Sequence, residues 1–296
     1  MNQKIKSYLA FLLRLVITFS ILFYLFQKTD FEKLKEIWQN ISFFYYFIAL
    51  GVFFSFQILI ALRWKKICLS WNFEDKLSFF LKAYFMGFSL NTVMPGIVGG
   101  DILRSFLLTK RGLSWKKASF SVILDRGYGL LGIFIILALF LPFKGYFLPY
   151  SFLIFLEILT YSLLILYFST SLFLSKREGQ DFLKPVCLPH NIFPIFLGFL
   201  IQILFVFQFI FLALALRLNF QSEYFFVIIP VISFLSALPI SIAGLGIREG
   251  SLSYFFSLLN YPLEYGLSLG LLGYSLILIS ALPGLYFYLK EKSLWK

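Results

Sequence analysis

Long unbroken apolar runs dominate the chain, and they neither alternate nor recur as stripes. They cover residues 8–26, 43–62, 120–141, 149–174, 192–216 and 266–289. Each reaches or approaches the roughly 20 residues that cross a hydrocarbon core of about 30 Å. Backbone in lipid must satisfy its own hydrogen bonds, so runs of this length predict helices. Membrane strands would read as short alternating segments, which these are not. The expected fold class is an all-α integral membrane protein, a single polytopic domain over residues 1–296 with about six full transmembrane helices. The first run follows Lys4 and Lys6, is too long for the core of a signal peptide and lacks a small-x-small cleavage site. It reads as an uncleaved first span.

Two further apolar stretches are interrupted and do not read as plain spans. The first, within 79–108, contains Asn91, Pro95, Gly99, Gly100, Asp101 and Arg104; the second, within 224–259, contains Pro239, Gly244, Gly246, Arg248 and Glu249. In each, a glycine follows the proline by five residues (Gly100, Gly244) and an arginine by nine (Arg104, Arg248). Upstream, Ala61-Leu-Arg63 and Ala215-Leu-Arg217 also correspond, although at different distances from the prolines. These matches predict a duplication, with one half over about 1–141 and the other over about 146–289.

Loop charge gives each half its orientation, because Lys and Arg in short loops favour the cytoplasmic side. The basic loops are 63–78, 109–118 and 175–191, together with the tail carrying Lys290, Lys292 and Lys296. These and the N-terminus are expected to be cytoplasmic. Loops 141–149 and 217–223 hold only Lys144 and Arg217 and are expected outside. Segment 28–42 is mixed in charge, and its Phe31, Leu34, Ile37 and Trp38 recur at helical spacing. It reads as a short amphipathic helix on the outer surface. On this count the two interrupted segments begin and end on opposite sides. They are then re-entrant hairpins in inverted halves, the pattern that points to a midplane substrate site in transporters. Two ordinary proline-kinked spans are the alternative.

Composition narrows the function classes. The chain is 60% hydrophobic and 14% charged, against about 25% charged in soluble domains. Its mean hydropathy is +0.88, which leaves no room for a separate soluble catalytic domain. The net charge of +12 would suggest nucleic acid in a soluble protein, but here the basic residues sit in short loops and suit anionic lipid. The 41 Phe and 17 Tyr suit lipid-facing and interfacial positions, or reflect a compositional preference for Phe. Cys68 and Cys187 lack metal-ligand spacing and His190 is the only histidine. No metal or cofactor is expected.

Charges remain inside the apolar sequence: Asp101, Arg104, Asp125, Arg126, Arg248 and Glu249. Each costs at least about 2.5–3.5 kcal/mol at the centre of a span, so each needs a partner or a wet cavity. Asp125 and Arg126 are adjacent, as are Arg248 and Glu249, so each pair points two ways and suits pairing between segments. Arg104 and Arg248 near helix starts, with Gly99, Gly100, Gly244 and Gly246 admitting close backbone approach, suit a lipid phosphate. Structural ion pairs that lock the hairpins are the alternative, and Asp125 and Arg126 could instead sit at a span's cytoplasmic end.

Ala61-Leu-Arg-Trp64, Asn91-x3-Pro95-x3-Gly99-Gly-Asp101-x2-Arg104, Asp125-Arg126 and Pro239-x-Ser241-x2-Gly244-x-Gly246-x-Arg248-Glu249-Gly250 resemble the motifs of the lysylphosphatidylglycerol synthase transmembrane-region family. The resemblance covers nearly the whole chain. It implies a flippase-like membrane region, like the membrane part of the multiple peptide resistance factor, which moves an aminoacylated phospholipid between leaflets. It adds Asn91 to the phosphate-site candidates and Arg63 to the ion-pair or gating set of Asp101, Asp125, Arg126 and Glu249. The chain ends at Lys296, soon after its last apolar run, so the synthase activity in the family name is not expected to transfer. The expected function is a lipid flippase or transporter in the cytoplasmic membrane, with membrane lipids as partner and no nucleic acid. The alternatives are an accessory subunit working with a lipid-synthesis enzyme and, less well supported, a membrane transferase.

Overall fold

The computed structural model describes residues 3–93, 99–177, 179, 181–238 and 244–290. All regular elements among them are helical. They are α1 (Gln3–Lys28), α2 (Phe31–Gln39), α3 (Phe43–Leu69), α4 (Leu77–Val93), α5 (Gly99–Lys110), α6 (Trp115–Lys144), α7 (Tyr150–Ser175), α8 (Ile192–Ala215), α9 (Phe225–Ala237), α10 (Ile247–Leu258) and α11 (Leu263–Lys290). Helices α3, α6, α7, α8 and α11 are long and apolar enough to cross a membrane; α1 contributes the shorter apolar stretch Leu15–Lys28.

Contacts between connections define two ends of the bundle. At one end, Trp71 Nε1 donates to the carbonyl oxygen of Asp181 at 2.9 Å, and Phe120 stacks on Phe182 with centroids 4.7 Å apart. At the other, the Ser42 amide donates to Ala215 O at 2.8 Å, the Asp30 amide to Glu264 Oε1 at 2.9 Å, and Lys144 pairs with Glu223. The basic segments of α3–α4, α5–α6 and α7–α8 all gather at the first end, where they include Lys76, Lys110, Arg111, Lys117, Lys176 and Lys184.

This settles the two interrupted segments. The open ends of α4 and α5 are tied by Arg111 Nη1 and Asp75 Oδ2, 3.6 Å apart, at the basic end. The open ends of α9 and α10 meet at the opposite end, where Phe220 stacks on Phe256 at 4.9 Å and lies 5.0 Å from Tyr261. Both segments are helical hairpins that turn back, not kinked spans, and they enter from opposite ends. At about 1.5 Å per residue, the 17 residues of α4 rise roughly 25 Å and the 13 of α9 roughly 20 Å, more than half the thickness of a hydrocarbon core of about 30 Å. Pro95 and Pro239, which prompted the hairpin reading, lie outside the described residues, as do Ser241, Lys292 and Lys296.

The two halves pack reciprocally. Helix α4 lies on α11, and its counterpart α9 lies on α6; α5 lies on α6, and α10 on α11; α3 and α8 lie against each other. These contacts relate α3–α6 to α8–α11 by an inversion. Apolar burial alone does not hold helices together in lipid, so close backbone approach at small residues carries the association. Gly132 of α6 meets the Gly198 backbone of α8, Gly266 of α11 meets Ser253 of α10, and Gly284 of α11 meets Phe85 of α4. Helix α7 has only Leu156, Thr160 and Ser171 buried and presents Phe155, Ile158, Ile165 and Phe173 outward, as a peripheral span does.

Two expectations are corrected. The upstream match of Arg63 with Arg217 is not structural: Arg63 is buried within α3, whereas Arg217 is exposed beyond the end of α8 with φ 52°. Helix α2 is also not simply laid on the outer surface. Asp30 caps it, Ile37 is buried, and Trp38 Nε1 donates to Ser268 Oγ at 3.0 Å, so α2 is folded onto α11. A polar anchor on α11 drew it down, which helical spacing within α2 could not reveal.

Candidate functional site

The first hairpin is closed by ionic contacts with α6 and α3. Asp125 of α6 accepts from Arg63 Nε through Oδ1 and from Arg104 Nη2 through Oδ2, both at 2.8 Å. All three side chains are almost fully buried. Arg104 also lies flat on Trp64, its guanidinium carbon 4.1 Å from the ring centre, and Trp64 Nε1 donates to Ser121 Oγ at 2.9 Å. One turn away, Arg126 Nε meets Asp101 Oδ2 at 2.6 Å, with the Arg126 side chain 43% exposed. Adjacent Asp125 and Arg126 therefore do point two ways, and the pairs cross between α5 and α6. Asp101 and Arg104, three apart on one helix, pair with different partners.

The glycines expected at a phosphate site have mostly structural neighbours. The Gly100 amide donates to Asn91 Oδ1 at 2.8 Å, and a Cβ on Gly87 would come within 2.8 Å of Gly100 O. Asn91 thus clasps the arms of the first hairpin close to its tip, and Gly99 is the first residue of α5. In the second hairpin Gly246 takes φ 84°, which a side chain rarely tolerates, and its amide donates to Glu249 Oε2 at 2.7 Å. Glu249 is fully buried against Gly270 of α11. It caps its own helix start instead of pairing with another segment.

Arg248 has a different environment. It is 8% exposed, and no hydrogen bond or ion pair reaches it among the described residues. Gly244 sits beside it: a Cβ there would lie 3.4 Å from Arg248 Nη2 and 3.1 Å from Ser236 Cβ. Arg248 lines an open cavity of about 490 Å³ bordered by α3, α6, α8, α9 and α10. Phe56, Ile133, Ile201, Phe205, Phe209 and Ile232 supply its apolar wall; Arg126, Gln202, Ser233 and Ser236 supply the other polar groups.

The candidates of the sequence therefore divide. Arg248 and Gly244 belong to the cavity, with Arg126 at its edge. Arg104, Arg63, Asp125, Asn91, Gly99 and Gly100 belong to the buried clasp of the first hairpin. Gln202, Ser233 and Ser236 were missed. An amide within the apolar run 192–216, shared with Gln208, was the available signal for Gln202; single serines in helices carry none. Away from the open ends of the hairpins, and among the described residues, the guanidiniums of Arg63, Arg104, Arg126 and Arg248 stand near the carboxylates of Asp101, Asp125 and Glu249.

Such an architecture defines a multi-pass helical membrane protein with two helical hairpins inserted from opposite ends, the second of which lines a largely apolar cavity. The chain matches, over residues 11–284, the model of the family described as Lysylphosphatidylglycerol synthase TM region, and it belongs to that family. A search of curated proteins finds no match.

Proposed function

We propose that this protein is a lipid flippase or transporter, not an enzyme, and that it passes a phosphate-bearing lipid between the leaflets of the cytoplasmic membrane. The observation that carries this reading is Arg248: a nearly buried cation with no carboxylate within ion-pair distance among the described residues, facing a largely apolar cavity. A lone guanidinium within a membrane is costly, and a phosphate offers it bidentate charge-assisted hydrogen bonds. The apolar wall suits the glycerol backbone and upper acyl chains. Hairpins entering from opposite ends supply the symmetry by which one site is opened to either leaflet in turn. Basic segments gathered at one end support a cytoplasmic position for that end and, with it, for both termini.

Reconstitution in liposomes tests the proposal. Fluorescent phospholipids in the inner leaflet become accessible to an external quencher only if they are moved. Purified protein is expected to speed this movement, and Arg248→Gln to slow it by about tenfold or more while eluting as a folded species. If the purified protein moves no phospholipid, or if Arg248→Gln moves it at the original rate, the transport reading fails. Co-purification with a lipid-synthesis enzyme in the absence of transport would then favour the accessory role.

A further inference from the structure

A second opening lies on the other face of the second hairpin. Ser233, Ser236 and Arg248 line the cavity described above, whereas Leu235, Ile247, Ser251 and Tyr254 of the same two helices line a lateral groove of about 510 Å³. Ile21 of α1 borders this groove on one side, and Pro149 and Phe152, at the start of α7, border it on the other. Helix α1 is seated on α10 at two glycines. A Cβ on Gly246 would lie 3.2 Å from Thr18 O, and one on Gly250 would lie 3.1 Å from Ile21 Cγ2. Among the described residues no charged side chain lines the groove, and its polar side chains are the hydroxyls of Ser251 and Tyr254.

Depth decides what fills it. Pro149 closes the loop in which Lys144 pairs with Glu223, so it lies at the end where α9 and α10 open. Gly246 lies at the far end of α10, toward the tip of the hairpin. From Gly246 to Tyr254 the helix rises about 12 Å, close to the roughly 15 Å of hydrocarbon that one leaflet contributes. The groove therefore runs through one leaflet. The two helices that flank it present Phe19 and Phe23 of α1 and Phe155 and Ile158 of α7 outward, as lipid-facing helices do. Water needs about two to four polar partners to settle, which this lining lacks, and an empty groove forfeits the dispersion contacts of its walls. We propose that the groove binds one acyl chain of a lipid from the leaflet at that end, and that it recognises the chain and not the headgroup. The proposal needs only a bilayer around α1, α7 and the second hairpin, and it does not rest on the transport reading.

Photocrosslinking tests it. Purified protein is placed in vesicles with a phosphatidylcholine carrying a diazirine midway along one chain, and separately with a phosphatidylglycerol carrying the same chain. Adducts are mapped by peptide mass spectrometry. Both probes are expected to label Ile21, Phe152 and Ser251 about fivefold more densely than Ile158 and Ile165 on the outward face of α7. Ser251→Trp, which fills the groove, is expected to bring labelling of Ile21 and Phe152 down to the level of Ile158, with Ile158 itself unchanged. Ser251→Phe serves as the gentler filling variant where the first does not elute as a folded species. Labelling no denser in the groove than on the outward face, or unaffected by filling, overturns the proposal. Labelling by only one of the two headgroups overturns it as well. Disulfide-linked dimers of Tyr254→Cys without lipid adducts would give the groove to a second copy of the chain and overturn it too. Each of these results is read whether or not lipid is moved across the membrane.

Discussion

Arg104 and Arg248 hold matching places in the two hairpins, each nine residues after a proline, yet only Arg104 reaches a carboxylate. Asp125 satisfies Arg104 together with Arg63 and closes the first hairpin against α6. In the second half the neighbouring acid, Glu249, lies on α10 and not on α11, the counterpart of α6; it is spent on its own helix start, and Arg248 is left to the cavity. The first hairpin is thus closed by ion pairs, whereas the second lines the cavity.

That difference predicts opposite outcomes for the two arginine clusters. Asp125→Asn strands two buried guanidiniums and is expected to destabilise the fold by about 3–5 kcal/mol. Asp101→Asn removes a partner from a pair whose arginine is 43% exposed, and should cost below about 1 kcal/mol. Thermal unfolding in detergent, followed by tryptophan fluorescence, measures both. Equal effects of the two substitutions would contradict the clasp.

Helix contact at glycine makes a second prediction. A Cβ on Gly132 meets the Gly198 backbone, whereas one on Gly127, in the same helix, meets nothing within 4 Å. Gly132→Ala is expected to lower the yield of folded protein and its unfolding temperature, and Gly127→Ala to leave both unchanged. Size-exclusion profiles decide it.

The inverted entry of the hairpins is open to labelling. Cys68 and Cys187 are buried, so single cysteines at Lys116 and Ser222 provide the reporting thiols. An impermeant maleimide is expected to reach Ser222→Cys in intact cells and Lys116→Cys only after the membrane is broken. Both thiols reacting from the same side would remove the inversion.

Helix α2 should respond to acid. Amide hydrogen bonds from Lys33, then Glu32, hold the Asp30 carboxyl below its usual range. A carboxyl lowered in the folded state stabilises above the unfolded value of about 4 and ceases to do so as pH falls through the folded value. Amide exchange within Phe31–Gln39 is therefore expected to rise below about pH 4, relative to α3, and in Asp30→Ala to be raised already at neutral pH. Exchange in the variant equal to that of the wild type would show that the cap contributes nothing.

The membrane class, the long spans, the interrupted segments and the charges within apolar sequence were all legible in the chain, because lipid imposes length and hydrophobicity on every span separately. The Arg63–Arg217 match misled because a tripeptide carries no depth: one copy lies within a helix and the other past a helix end. Pairing lay beyond the sequence. That Arg104 and Arg63 converge on Asp125, that Glu249 turns back to Gly246, and that Gln202, Ser236 and Arg248 share a cavity depend on how α3, α6, α8 and the second hairpin come together. Residues far apart in the chain acquire partners only when close backbone approach at Gly132, Gly198 and Gly270 fixes the distances between helices, and so tertiary structure alone decided which arginine is spent and which is available.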